Sequence, residues 1–181
     1  MGAGDIVLGD GVFSLQLTSS TTEIDIALTR GGGEFTLERE IRLIEADGDY
    51  GPVVGRVRKT RVVPKLTMRA LELLPANMVP FYPGTSVTTS TGASGATWAG
   101  STGGIAAVLD SDFNYFVRFT GETKGGRSVV ITVDNAINLE EENVWELLDK
   151  EEVVPEITFS GGYGSTDRTT EPWNVVWGST T

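Results

Sequence analysis

Charged side chains cluster at three places where their types and spacing could do chemistry. Asp47-Gly48-Asp49 has the spacing that opens a calcium-binding loop, although the bidentate glutamate that such a loop needs downstream is missing. The run Glu140-Glu141-Glu142 precedes Trp145, and a glycosidase uses two carboxylates in a cleft lined by aromatic rings. The run Arg56–Arg61 holds four cations that could contact a phosphate backbone.

Each cluster also has a simpler structural interpretation. Asp47-Gly48-Asp49 is ordinary turn sequence, and three consecutive glutamates are typical of a solvated surface. Nothing in the sequence places a pair of carboxylates beside Trp145 or Trp173. Within Arg56–Arg61 the cations fall on both faces of a predicted strand, where they can pair with acids of a neighbouring strand. The sequence therefore predicts no catalytic residue.

The chain contains neither histidine nor cysteine. Without histidine it lacks the usual general base near neutral pH and every Ser-His or Cys-His nucleophile pair. A structural zinc site is excluded too, because it needs Cys or His ligands. Phosphate-binding and dinucleotide-binding glycine motifs do not occur. We therefore predict a protein that is not an enzyme and that uses no metal and no cofactor.

The net charge of the 181-residue chain is −11. Proteins that recognise nucleic acid neutralise phosphates with Lys and Arg, so this charge argues against recognition of DNA, though not against DNA sliding past. The charge is uneven: residues 30–69 hold nine Lys/Arg against six Asp/Glu, and residues 110–156 hold four against twelve. Complementary faces between copies and a patchy solvated surface both fit this asymmetry. No apolar stretch approaches the roughly 20 residues that cross a bilayer.

Alternation of apolar and polar residues predicts two unusually long strands joined by a turn-rich loop. The first, Glu34–Ala46, follows Arg30 and three glycines, which predict a flexible break. The second, Arg56–Leu73, contains Pro64, where we expect a bulge or a sheet edge. The loop Asp47–Gly55 makes the whole an oversized hairpin, longer than a small globular domain needs.

The remaining sequence predicts short elements around this hairpin. Asn138–Lys150 fits either a short helix or a hairpin. The others, in chain order, are a helical turn or two in Leu74–Val79, an exposed loop in Gly84–Gly104 (16 of 21 residues are Gly, Ser or Thr), a hairpin of Phe113–Gly121 with Ser128–Asp134, and a strand in Val153–Tyr163. We therefore predict an all-β fold of sandwich or barrel type with at most one short helix, with a domain in residues 1–163 and a C-terminal arm in residues 164–181.

Four segments and a closing Pro172-Trp173 together carry a family resemblance. The segments are Ile24–Arg30 running through the glycines into Phe35–Glu40, the loop Glu45–Arg56, the strand Pro64–Leu73, and Asp134–Asn138 continuing to Glu151–Gly162. In their order, and in the oversized hairpin, the sequence resembles the major tail tube proteins of long-tailed (siphovirus-type) bacteriophages. The likeness spans most of residues 20–175.

The resemblance implies a fold of two packed antiparallel sheets with one short helix. It also implies a structural subunit of the virion, made in the host cytoplasm. Six copies would form a ring, and stacked rings would enclose a lumen that houses the tape-measure protein and conducts DNA. Partners would be other copies of the chain, the tape-measure protein, and the tail-tip and tail-terminator proteins, with no membrane and no cofactor.

The resemblance also assigns residues to surfaces. The loop that stacks rings would use Asp47, Asp49, Tyr50, Pro52 and Val53, and an inter-subunit arm would use Trp173 and Trp177. The Ser/Thr/Gly loop 84–104 would lie on the outer surface. Lumen-lining candidates are five acids, Glu34, Glu38, Glu40, Asp134 and Glu156, and five bases, Arg42, Lys59, Arg61, Lys65 and Arg69. Relatives usually have an acidic lumen, so a balance of zero means that these charges pair or that one strand faces the other way.

Two alternatives stay open at this point. One is the related tube protein of a contractile injection system, which would share the fold and the ring. The other is a monomeric β-sandwich binding module, which would bind sugar through Trp98, Trp145 or Trp173.

Overall fold

The computed structural model describes residues 7–26, 28–71, 74–89, 95–100, 108–142, 145 and 152–178. Within these residues the fold is all-β with one short α-helix, as predicted. The elements are β1 (Val7–Gln16), β2 (Ile24–Ile26), β3 (Thr29–Leu43), β4 (Val57–Ala70), α1 (Pro75–Phe81), β5 (Thr85–Thr89), β6 (Ala96–Gly100), a 3₁₀ turn (Asp110–Asp112), β7 (Asn114–Thr123), β8 (Ser128–Ile137), β9 (Glu156–Gly161) and β10 (Trp173–Trp177).

The strands form two antiparallel sheets. The main sheet has eight strands in the order β2-β1-β7-β8-β9-β4-β3, with β10 beside β8, and the small sheet pairs β5 with β6. Strand β9 pairs with β8 only at Ala136 and Ile137, whereas β10 pairs with residues 129–133. Strand β10 thus occupies the edge of β8 that β9 leaves open. The predicted hairpin of β7 and β8 is confirmed.

One face of the main sheet is buried and forms the core. Along β4 the alternation predicted from the sequence is visible, because Val62, Leu66, Met68 and Ala70 are all buried. Strands β1, β7, β8 and β9 contribute further buried apolar residues to the same cluster. The predicted helix α1 begins at Pro75, where a missing N–H costs nothing, and Phe81 packs edge-on against Phe159 at 6.2 Å.

Asn135 marks the place where β8 changes partner. Its φ of 46° is left-handed, a conformation that asparagine tolerates better than most residues. The Asn135 side-chain amide donates to the Gly162 carbonyl at 3.0 Å, and the Gly162 N–H donates back to the Asn135 carbonyl at 3.0 Å. This reciprocal pair fixes the interruption between the part of β8 beside β10 and the part beside β9.

The three glycines before the long hairpin do not form a flexible break, so that prediction is wrong. Strand β3 runs through them, and Arg30, Gly31 and Gly32 together face the single residue Arg69 of β4. Gly31 and Gly32 have φ of 83° and 78°, which glycine adopts without steric cost. The glycines therefore build a bulge inside a continuous strand.

The predicted bulge at Pro64 is also misplaced. Pro64 lies opposite Leu37 without a register shift, and pairing with β9 begins one residue later, at Lys65. Its missing N–H therefore lies at the border of the β9 ladder, which agrees with the predicted edge. The bulge lies at Thr60, because Glu40 faces Arg61 while Ile41 faces Lys59.

The predicted loop 84–104 contains a second sheet. Residues Thr85–Thr89 pair with Ala96–Gly100, with Val87 opposite Trp98. β-Branched residues at Thr85, Val87 and Thr89 favour extended backbone despite the low-complexity composition. Residues 90–94 and 101–104 lie outside the described part of the chain.

Strands β1 and β10 were not predicted from the sequence. Because Trp173–Trp177 is a strand of the main sheet, the prediction of a separate C-terminal arm from residue 164 is wrong for these residues. Strand β3 begins earlier than predicted, at Thr29, and stops earlier, at Leu43. Strand β9 is shorter than predicted at both ends, since it spans Glu156–Gly161. The choice between helix and hairpin for residues 139–150 falls largely outside the described residues.

Candidate self-assembly surface

The hairpin of β3 and β4 extends beyond the core of the domain. Val62 is the last buried residue of β4 in the direction of the loop, and residues 57–61 are all exposed. On β3, residues 38–43 are exposed as well. We refer to residues 38–61 as the distal hairpin.

The distal hairpin carries apolar side chains that nothing in the described chain covers. Its exposed large apolar residues are Ile41, Leu43, Ile44, Tyr50, Val53, Val54 and Val57. Tyr50 and Val54 are fully exposed, at 109% and 99%. Clustered apolar exposure of this kind marks an interaction surface in soluble proteins.

Part of this surface continues the apolar face of the core. Residues Phe35 and Leu37 of β3 are half-buried, and Ile41 and Leu43 follow them on the same face because alternation on β3 is regular there. Val57 lies directly opposite Leu43. The same hydrophobic stripe therefore serves the core near the domain and is left without cover beyond it.

The loop at the end of the distal hairpin is held in shape by Asp49. One Asp49 carboxylate oxygen accepts the Ala46 N–H at 2.8 Å and the Arg56 guanidinium at 2.7 Å. Gly48 and Gly55 supply left-handed turns with φ of 95° and 86°. Tyr50 and Val54 are therefore presented on an ordered loop.

This geometry changes the roles predicted for the loop residues. Asp49 is largely covered, with 21% of its side chain exposed, so it shapes the loop from within. Tyr50 is fully exposed, whereas Val53 is less exposed, at 37%, than Val54, which the sequence did not single out. Asp47 and Pro52 are exposed on the same loop.

Most of the predicted lumen residues share one face of the β3-β4-β9 sheet. Register places Glu40 opposite Arg61 and Arg69 opposite Glu156 on this face. Eight of the ten candidates lie there: Glu34, Glu38, Glu40, Arg42, Arg61, Lys65, Arg69 and Glu156. We call it the charged face.

Lys59 does not belong to the charged face. The bulge at Thr60 inserts one extra residue into β4, so the Lys59 side chain lies on the opposite side of the sheet from the one predicted. Register places Lys59 opposite Ile41, on the apolar side, where it forms an ion pair with Glu171. The same bulge brings Arg58 onto the charged face, opposite Arg42. The charged face of these three strands therefore carries four acids and five bases.

Asp134 is the second candidate that lies elsewhere. It sits on β8 opposite Phe116, and its cationic neighbour is Arg118 on β7. Burial raises the pKa of the Asp134 carboxyl, and Arg118 opposes part of that rise. Arg118 itself lies 4.2 Å from the Phe116 ring centre and contacts Glu23 at 3.3 Å.

Two of the five bases on the charged face are paired with acids within the subunit. Lys65 lies 2.8 Å from Glu38, and this hydrogen bond raises the pKa of the Lys65 ammonium. Arg69 lies 2.8 Å from Glu156. Exposed pairs add little to stability, but they engage these two cations with carboxylates.

An acidic rim adjoins the charged face. The run Glu140–Glu142 lines an open groove of about 740 Å³ together with Glu38, Arg61 and Lys65. The three glutamates Glu140–Glu142, which the sequence analysis weighed as catalytic carboxylates, thus border the predicted lumen surface and add three negative charges to it.

The two tryptophans of β10 differ in their surroundings. Trp173 packs on Phe35 with ring centres 5.9 Å apart, and its indole N–H donates to Glu171 at 2.8 Å. Trp177, at the other end of the strand, is 58% exposed. Trp173 therefore docks on its own domain, and contact with another subunit remains a prediction for Trp177.

Neither a metal cluster nor a membrane-spanning helix is present in the described part of the chain. There, no group of three or more His, Cys, Asp or Glu residues could hold a metal ion, and no helix has the length and apolar character that crossing a bilayer requires. No protein-family model matches the chain, and no curated protein matches it.

Proposed function

We propose that this chain is the tail tube subunit of a long-tailed, non-contractile bacteriophage. Six copies form a ring, and stacked rings enclose the conduit through which DNA leaves the virion. The observation that carries the proposal is the distal hairpin, an ordered extension whose apolar side chains have no partner within the described residues.

A second copy of the chain is the partner that best accounts for this surface. Strand β3, 15 residues long, ends the main sheet, and its outer edge pairs with no described strand. A long open edge promotes uncontrolled association unless it is covered. Head-to-tail contacts between identical subunits cover such edges in a closed ring and, in the axial direction, generate a filament.

The charged face suits a surface that DNA passes without binding. Two of its five bases, Lys65 and Arg69, are paired with acids, and the run Glu140–Glu142 adds negative charge beside it. Binding of DNA requires cations that displace counterions from phosphates, so paired cations beside an acidic rim hold it weakly. The proposal places this face toward the lumen, where the tape-measure protein is housed before DNA ejection.

The proposal is tested by removing the apolar end of the distal hairpin. The double variant Tyr50→Ser/Val54→Ser keeps Asp49 and both glycines, so we expect a folded subunit whose large assemblies are lost. Sedimentation velocity across a concentration series measures the loss. The matched control is Tyr115→Ser, which removes a 49% exposed tyrosine from β7.

Assembly of the double variant at the wild-type concentration would count against the hairpin as the stacking surface. If the wild-type chain stays monomeric throughout the series, without or with a tail-tip complex, the proposed function itself fails.

A further inference from the structure

A cluster of three aromatic rings lies away from the distal hairpin. Trp98 and Trp145 are stacked, with ring centres 5.5 Å apart and planes 13° apart. Tyr82 lies 5.1 Å from Trp98 and 6.2 Å from Trp145. The self-assembly proposal uses none of these residues.

The rings form the floor of an open bowl of about 660 Å³. Tyr82 is buried, Trp145 is half-buried, and Trp98 is 38% exposed, so indole surface remains accessible in the bowl. Polar groups stand around it: the lining includes Thr85, Asn138 and Glu140 besides the rings.

Hydrogen bonds hold the floor in place. The Trp145 indole N–H donates to the Tyr82 hydroxyl at 2.8 Å, and the Asn138 amide donates to the Phe81 carbonyl at 3.0 Å. The Tyr82 phenol is protonated at neutral pH, as any tyrosine is, and burial raises its pKa further. The bowl therefore combines fixed aromatic faces with a hydroxyl donor and a carboxylate acceptor.

Trp98 also has a purely structural role. The sheet of β5 and β6 has two strands, which is too few to be stable alone in water, and Trp98 fastens it to Tyr82 and Trp145. Attachment of the small sheet explains why the rings are stacked. It does not explain why an accessible bowl with a carboxylate on its rim lies beside them.

We infer that this bowl binds a neutral carbohydrate. Sugar rings present a flat face of C–H groups that packs on an aromatic ring, and hydroxyls at their edge that bond to carboxylates and phenols. Pockets for such ligands are mostly apolar with a few placed polar groups. Glu140 and the adjoining Glu141 and Glu142 repel acidic sugars and phosphates, which leaves neutral or N-acetylated sugars as the class.

The experiment is isothermal titration calorimetry of the full chain with cellohexaose, with chitohexaose, and with a ten-residue proline-rich peptide that could use the same aromatic surface. We expect one of the hexasaccharides to bind. Near-ultraviolet circular dichroism should change on binding, because the stacked indoles of Trp98 and Trp145 are coupled.

Variants locate the site. Trp98→Ala should weaken sugar binding about tenfold or more, and Glu140→Gln should weaken it without loosening the small sheet. Trp177→Ala removes an exposed tryptophan outside the bowl and should leave the affinity unchanged. The inference is overturned if neither hexasaccharide binds, if only the peptide binds, or if Trp177→Ala weakens binding as much as Trp98→Ala does.

Discussion

Gly33 shows how a single missing side chain lets the main sheet close on itself. A Cβ atom at this position would overlap the Phe13 ring of β1 and the Thr67 carbonyl oxygen of β4. Strands β1 and β3 lie near opposite ends of the sheet order, so their contact at Gly33 means that the sheet curls. The core is enclosed because glycine leaves room for this approach.

We therefore expect Gly33→Ala to lower the free energy of unfolding by about 2 kcal/mol, as overpacking of a tight site does. Gly51→Ala is the matched control, because no atom lies within 4 Å of its added Cβ. Urea denaturation of both variants measures the difference. Equal stability of the two would mean that β1 and β3 do not meet at Gly33.

Asp134 makes stability depend on pH. Its folded-state pKa is raised, chiefly by burial, so the folded state binds more protons than the unfolded state at mildly acidic pH. This carboxyl therefore lowers stability as pH rises from its ordinary value through its raised folded value. Once ionised, this carboxylate is partly desolvated beside Arg118.

Asp134→Asn removes this titration. We expect the variant to be more stable relative to wild type at pH 7 than at pH 3, as measured by thermal unfolding at both values. The control is Asp112→Asn, which replaces a half-buried aspartate of the 3₁₀ turn. A constant difference between Asp134→Asn and wild type across this range would contradict the raised pKa.

At the scale of elements, β10 joins the distal hairpin to the body of the domain. Trp173 packs on Phe35 of β3, and Glu171, just before β10, pairs with Lys59 of β4. Strand β10 is therefore part of the folded domain, whereas a free arm could be removed without loss of stability.

The tryptophans at the two ends of β10 provide a matched pair of variants. Trp173→Ala should cost about 2 kcal/mol of unfolding free energy, less than a fully buried tryptophan because its ring is half-buried. Trp177→Ala should cost close to none, since this side chain is mostly exposed. Thermal unfolding under conditions that keep the subunit monomeric distinguishes the two. Equal, negligible effects would restore the arm interpretation for both.

Strong periodicity made most elements predictable from the sequence. The long hairpin, the β7–β8 hairpin and α1 follow from alternation, turn residues and Pro75. The bulge at Thr60 was not predictable, because a register shift depends on which residues of β3 and β4 face each other, and Lys59 was assigned to the wrong face as a result. The small sheet of β5 and β6 was not predictable either, because the residues on which its Trp98 packs, Tyr82 and Trp145, are distant in sequence.

Of the candidate assembly surface, the loop was predictable from the sequence, but the exposed apolar residues of β3 were not. Turn residues identify the loop and its Tyr50. Ile41 and Leu43 alternate as core residues do, and sequence alone does not tell where the core ends along a strand. Only the packing of the domain reveals that the core ends at Val62 of β4 and leaves the rest of the stripe exposed.

At the scale of the whole molecule, the exposed apolar stripe and the charged face lie on opposite sides of the long hairpin, with Lys59 on the apolar side. In the proposed tube, the apolar side would supply contact area between subunits, and the charged face with its acidic rim would face the polyanion. With a net charge of −11, free subunits would repel one another, so the proposed assembly requires that burial of the hairpin outweigh this repulsion.

Electron microscopy of the purified chain at high concentration tests the central claim most directly. We predict hollow rings of six subunits, or tubes of uniform diameter built from them, with the distal hairpin at the contact between rings. Particles that remain monomeric at every concentration, and still do so after a tail-tip complex is added, would contradict the account.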